Sequence, residues 1–113
     1  MFKIEAVIHS YRLDPVREAL EEIGVHGLTA VDCRGMGRHR GATHSFRGSN
    51  YSNTLSPHVL VIVGVTKERL DEAVDAIQKA ASTGEFGDGM IFVHELHEAV
   101  RIRTNERGIA AMS

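Results

Sequence analysis

From Phe2 to His9 the chain alternates, with Phe2, Ile4, Ala6 and Ile8 set against Lys3, Glu5, Val7 and His9. A period of two, rich in β-branched residues, predicts a first strand with one apolar face. Val16, Ala19, Leu20 and Ile23 then recur at helical spacing. Asp14 is the expected N-cap of that helix, Pro15 its first helical residue and Gly24 its C-cap. Alternation returns over residues 27–34 and predicts a second strand. Residues 58–65, HVLVIVGV, are almost continuously apolar, as expected of a strand buried on both faces. Thr66 is the expected N-cap of a second helix, with Glu68 and Asp71 near its positive end. Leu70, Ala73, Val74, Ile77, Ala80 and Ala81 form its inner face. The run TGEFGDG, residues 83–89, breaks the helix, and residues 90–95 make a fourth strand. The tail from His97, about residues 97–113, carries Arg101, Arg103 and Arg107 with little periodicity.

Strand, helix, strand, strand, helix, strand is the split βαβ, or ferredoxin-like, order of an α+β domain. It predicts an antiparallel four-stranded sheet with both helices on one face, in a single domain spanning residues 1–113. Two helices cannot cover both faces of a sheet. The apolar excess of residues 58–65 therefore predicts that copies of the chain bury the other face, in a symmetric homo-oligomer. Between the second and third strands lies a polar stretch, residues 35–57, GMGRHRGATHSFRGSNYSNTLSP. Compact domains seldom carry loops of this length without a functional reason.

Composition narrows the class. The 113 residues are 42% hydrophobic but only 5% aromatic, and Trp is absent, so the core must be aliphatic. A net charge of -2 gives no electrostatic case for nucleic acid or an anionic membrane surface. A lone cysteine, Cys33, excludes an intrachain disulfide and suits a reducing cytoplasm. The start MFKIEAVIHS is too short and too charged for a signal peptide, and no apolar run reaches transmembrane length. The expectation is a soluble cytoplasmic domain.

Three clusters carry chemistry. Gly35-Met36-Gly37-Arg38 ends a strand in glycines and a base. Gly87-Asp88-Gly89 offers backbone N–H groups in a tight turn. Arg101-Ile102-Arg103 places both guanidiniums on one side if extended. Glycine turns with convergent arginines make a site for a phosphate-bearing anion. Seven histidines raise a metal reading, but His94 and His97, and His39 and His44, do not form a set with zinc spacing. Neither a Ser-His-Asp nor a Cys-His nor a paired-carboxylate arrangement is present, so an enzyme is not indicated.

These clusters resemble those of the PII signal-transduction proteins, and the resemblance runs over essentially the whole chain. It is carried by Lys3-Ile4-Glu5-Ala6, Val16-Arg17-Glu18-Ala19-Leu20, Gly27-Leu28-Thr29, Gly35-Met36-Gly37-Arg38 and Arg47-Gly48-Ser49 with Tyr51. Leu55, Pro57, Ala80-Ala81, Thr83-Gly84, Gly87-Asp88-Gly89, Ile91-Phe92-Val93 and Arg101-Ile102-Arg103-Thr104 extend it. The resemblance implies a homotrimer with a projecting T-loop, here about residues 37–55, and nucleotide sites between subunits where ATP and ADP compete. It places Thr29, Gly35 and Gly37 near the adenosine. Arg38, Gly87, Gly89, Arg101 and Arg103 would hold the phosphates, partly from a neighbouring subunit, and Asp88 and Met90 fall in the same nucleotide site. The second effector of the family, 2-oxoglutarate with Mg²⁺, would fall at His39, Arg40, Gly41 and His58. Arg47 and Tyr51 fall at the loop tip, where partners dock and some members are uridylylated.

The departures from the family pattern are concentrated in one place. His39 stands where a glutamine oxygen helps hold Mg²⁺, a hard ion for which imidazole is a poor ligand. His58 stands where a lysine pairs with the 2-oxoglutarate carboxylate. Met90 replaces a phosphate-binding lysine and Ile62 an acidic residue, and Phe46 and Asn50 replace a Tyr and a Glu beside Tyr51. The expected function is a non-enzymatic signalling trimer that binds adenine nucleotide and acts on a target protein through its T-loop, with the 2-oxoglutarate response weakened or lost. The alternative is a metal- or anion-responsive regulator of a membrane transporter using loop and cleft histidines, His39 foremost. A slow nucleotide hydrolase ranks below both.

Overall fold

A computed structural model describes residues 1–35 and 55–112. Strand β1 spans Phe2–His9, helix α1 Leu13–Glu22, β2 Thr29–Gly35, β3 Ser56–Val65, α2 Lys67–Ala81 and β4 Gly89–Glu95. The strands form one antiparallel sheet in the order β2-β3-β1-β4, which is the ferredoxin-like arrangement the element order predicts. In register, Ile4 lies between Val63 and Val93, and Ala6 between Val61 and Ile91.

Alternation sorts the two faces. Ile4, Ala6 and Ile8 of β1 and Val59, Val61, Val63 and Val65 of β3 are buried in one cluster. Val16 and Leu20 of α1 and Ala73, Ile77 and Ala81 of α2 complete it. Both helices therefore cover the same face, and the core is aliphatic. At roughly 1.5–3 kcal/mol for each large side chain removed from water, this cluster is the main favourable term in folding.

The other face carries Lys3, Glu5, Val7 and His9 of β1, Leu60 and Ile62 of β3, and Met90, Phe92 and His94 of β4. Val31, Phe92 and Met90 stay 45%, 49% and 60% exposed in the single chain. Strand β3 is thus buried on one face and only partly covered on the other, so the expectation of two buried faces is met halfway within one copy. Glu5 accepts from Lys3 (3.3 Å) and from His94 (3.1 Å) on this face. The Lys3 contact chiefly holds the Glu5 carboxyl below its ordinary range, against slight desolvation and with help from His94.

Two arginines tie the helices end to end. Arg12, just before α1, donates from Nε and a terminal nitrogen to the Ala80 carbonyl, at 2.9 and 2.6 Å. Arg69, in the first turn of α2, donates to the Ile23 carbonyl after α1. Each antiparallel helix so has its carbonyl end capped by a cation from the start of the other. Gly24, at φ +86°, packs its open face against that Arg69 guanidinium. It sits one residue beyond the C-cap, as expected of the glycine that ends a helix.

Helix α1 begins two residues earlier than expected. A 3₁₀ turn at Ser10–Arg12 feeds it, Arg12 is its N-cap, and no side chain caps it. Pro15 falls within the first turn, where its missing N–H would have had no partner in any case.

Candidate functional site

His58 organises one end of the sheet. It is 5% exposed, and its ring nitrogens lie 3.0 Å from the Ser56 carbonyl oxygen and 2.9 Å from that of Gly87. A Cβ on Gly35 would stand 3.1 Å from Nδ1 of the same ring, so Gly35 leaves the space the imidazole uses. One buried side chain thus brings the end of β2, the start of β3 and the 83–89 loop together. His9 stacks on His58 with ring centroids 5.2 Å apart, and Tyr11 stacks on His9 at 5.1 Å.

The 83–89 loop is held by Asp88. Its carboxylate accepts from the Thr83 and Gly84 N–H groups at 2.8 and 3.0 Å, from the Thr83 hydroxyl, and lies 3.2 Å from His9 Nε2. Partial burial pushes this carboxyl up. The donors from Thr83, Gly84 and His9 outweigh that and hold it below the ordinary aspartate range. Asp88 is accordingly the internal staple of the loop, with its charge already committed. Gly84, Gly87 and Gly89 all take positive φ. At Gly89 the requirement is absolute, because a Cβ would lie 1.7 Å from the Val7 carbonyl oxygen.

Thr29 and Arg101 lie at the other end. They border a cavity of about 760 Å³ whose lining includes Gly27, Ile62, Gly64 and Met112. Its lining is largely glycine and aliphatic side chain, with the guanidiniums of Arg69 and Arg101 at its border. Such a surface suits a flat, weakly polar ring with an anionic extension reaching the arginine. Arg101 and Arg103 do not share one side of an extended segment. Residues 102–104 form a turn, closed by the Asn105 N–H donating to the Arg101 carbonyl at 2.7 Å. Arg101 turns in toward the cavity, Arg103 stays exposed, and Ile102 between them is 99% exposed.

Of the expected site residues, Gly35, His58, Gly87 and Asp88 therefore meet at one end of the sheet, and Thr29 with Arg101 at the other. Met90 lies on the uncovered face opposite Val7. Gly37, Arg38, His39, Arg40, Gly41, Arg47 and Tyr51 lie outside the described residues. Sequence reasoning missed His9, Gly64 and Met112. A glycine inside the apolar run of β3 was a usable signal for close approach at Gly64. Met112 had none.

The profile of the family "Nitrogen regulatory protein P-II" matches residues 1–106. The chain belongs to the P-II family. A "Nitrogen regulatory protein P-II" of Rhodospirillum rubrum is 46% identical over 108 residues, 96% of each chain. "Nitrogen regulatory protein GlnK" of Escherichia coli K12 is 43% identical over 109 residues, 96% of this chain and 97% of its own. The crystal structure of Arabidopsis thaliana PII bound to citrate superposes with a TM-score of 0.80 at 32% identity, covering 98% of this chain and 88% of that one. P-II membership makes the chain a nitrogen regulatory signal-transduction protein, and its ferredoxin-like fold is that of its relatives.

Proposed function

We propose that this P-II protein is a non-enzymatic cytoplasmic trimer that binds ATP or ADP between subunits and signals to a target protein through residues 37–55. The observation that carries the reading is the separation of the two half-sites. Thr29 and Gly35 are six residues apart on β2, roughly 20 Å at strand rise. One chain cannot close both around one nucleotide. A neighbour packed on the uncovered face can bring its cavity of Thr29, Ile62, Gly64 and Arg101 against the Gly35, Gly87 and Gly89 amides of the first. Phosphates then lie between glycine N–H groups and guanidinium, with the ring on the apolar floor. The nucleotide changes which contacts the base of residues 37–55 makes, and so which partner-binding state is populated.

Replacing both arginines, Arg101→Ala with Arg103→Ala, is expected to abolish ADP binding in calorimetry while sedimentation still shows the native assembly. Undiminished affinity overturns the reading.

The environment of His58 supports a lost 2-oxoglutarate response. Both ring nitrogens already face backbone carbonyl oxygens, and the ring is nearly inaccessible. A carboxylate arriving there would have to break both contacts before gaining one. Titration of 2-oxoglutarate into the ATP- and Mg²⁺-loaded protein is expected to give no saturable heat; tight, ATP-dependent binding refutes the assignment. Among the described residues no three His, Cys, Asp or Glu side chains converge on a metal position. The transporter-regulator alternative rests on His39, and a metal titration of wild type against His39→Ala tests it.

A further inference from the structure

The cavity at Thr29 and Arg101 is already engaged by the chain's own carboxy-terminal turn. Gly64 faces the Met112 side chain closely enough that a Cβ there would meet Cε and Sδ at 3.1 Å. Arg101 donates to the Ala111 carbonyl at 3.0 Å, and its Nε lies 3.3 Å from the Glu106 carboxylate. The turn that delivers these groups is built for the purpose. The Arg101 N–H donates to the Glu106 carbonyl, Val100 bridges Arg107, and the Gly108 N–H donates to the Ala99 carbonyl. Asn105 and Gly108 take φ +64° and +67°, which lets the chain reverse and lead the 3₁₀ segment Gly108–Met112 back over the cavity. Thr104 donates to Glu106 at 2.7 Å and fixes that carboxylate.

We propose that residues 106–112 are an intramolecular competitor for the phosphate-bearing ligand of this cavity. The proposal rests on the nucleotide reading above and adds a regulation of the same site. It has an electrostatic half and a steric half. Glu106 neutralises Arg101 and repels an incoming phosphate, and Ala111 occupies a second donor of the guanidinium. Met112 covers Gly64, a lining position with no side chain of its own. A nucleotide must displace the turn, so affinity is lowered by the population of the closed form, and the tail is released when the site fills.

Calorimetry with ADP, without Mg²⁺, on the full chain, Glu106→Gln, Met112→Ala and a chain ending at Arg107 tests this. Both point changes are at exposed or semi-exposed positions, and glutamine still accepts from Thr104. Each is expected to tighten ADP binding by about two- to fivefold, and the shortened chain by about tenfold. In the full chain, saturating ADP is expected to speed amide exchange across residues 108–112. Unchanged or weaker ADP affinity in both point variants, or slowed exchange of the tail, overturns the competitor and leaves the nucleotide site standing. If no form binds ADP, the nucleotide reading fails and the competitor falls with it.

Discussion

At the scale of single residues, the 83–89 loop is set by two positions with different physics. Gly89 is fixed by space and backbone together: φ is +108°, and the Val7 carbonyl oxygen fills the place of a side chain. Gly89→Ala must therefore push β4 off β1 at its first pair, and thermal melts are expected to show a loss of about 3 kcal/mol or more. Asp88 is fixed by charge. Because its carboxyl is held below the ordinary value of 3.8 in the fold, its contribution is complete above that value. The contribution is lost as pH falls from there through the folded value. The protection of the Thr83 and Gly84 amides, relative to their intrinsic exchange at each pH, should accordingly fall below pH 3.8, while in Asp88→Asn it should already be low at neutral pH and change little on acidification. Equal acid sensitivity in the two proteins would remove Asp88 from its role as staple. His58 shows what residue-level reading misses. Its position opposite a family lysine was legible, but its partners are backbone carbonyls 2 and 29 residues away in sequence, and no side-chain pattern announces a carbonyl.

At the scale of elements, the strands were legible because their alternation reports one buried face directly. Strand β1 was expected and found at Phe2–His9. The edges were less so, each for a local reason. Pro57 reads as a breaker, yet β3 starts at Ser56, since a proline at the start of a strand removes little of the ladder. Gly35 reads as loop, yet it pairs with Ser56 and extends β2. Thr66 is the N-cap of α2 as expected, but without a side-chain bond, and α1 has no polar cap at all. The helices are instead secured at their far ends by Arg12 and Arg69, long-range contacts invisible to local patterning. Removing either cation leaves a carbonyl end uncompensated, at about 1–2 kcal/mol. Arg12→Ala and Arg69→Ala are each expected to lower the melting temperature by roughly 4–8 °C. The two contacts share no atoms and sit at opposite ends of the helix pair. The double variant should therefore lose close to the sum, and strong non-additivity would show that the ends are coupled.

At the scale of the whole molecule, assembly and ligand binding become one question. In the proposed nucleotide reading, the half-site of Gly35, Gly87 and Gly89 and that of Thr29 and Arg101 lie at opposite ends of β2, so neither would be complete without a neighbour. The uncovered face between them carries Phe92, about half exposed and paired in register with Glu5. Phe92→Arg removes the apolar contact a neighbour would use. Within the single chain it places a guanidinium opposite a carboxylate, a favourable cross-strand pair, so the fold itself is not put at risk. The expected product is a folded monomer by sedimentation, with native circular dichroism and ADP affinity reduced by at least about a hundredfold, since only one half of each site remains. Arg101→Ala with Arg103→Ala gives the reciprocal outcome, assembly retained and affinity lost. A Phe92→Arg monomer that binds ADP as tightly as wild type would show that one chain holds the whole site, and the argument from half-site separation would fail.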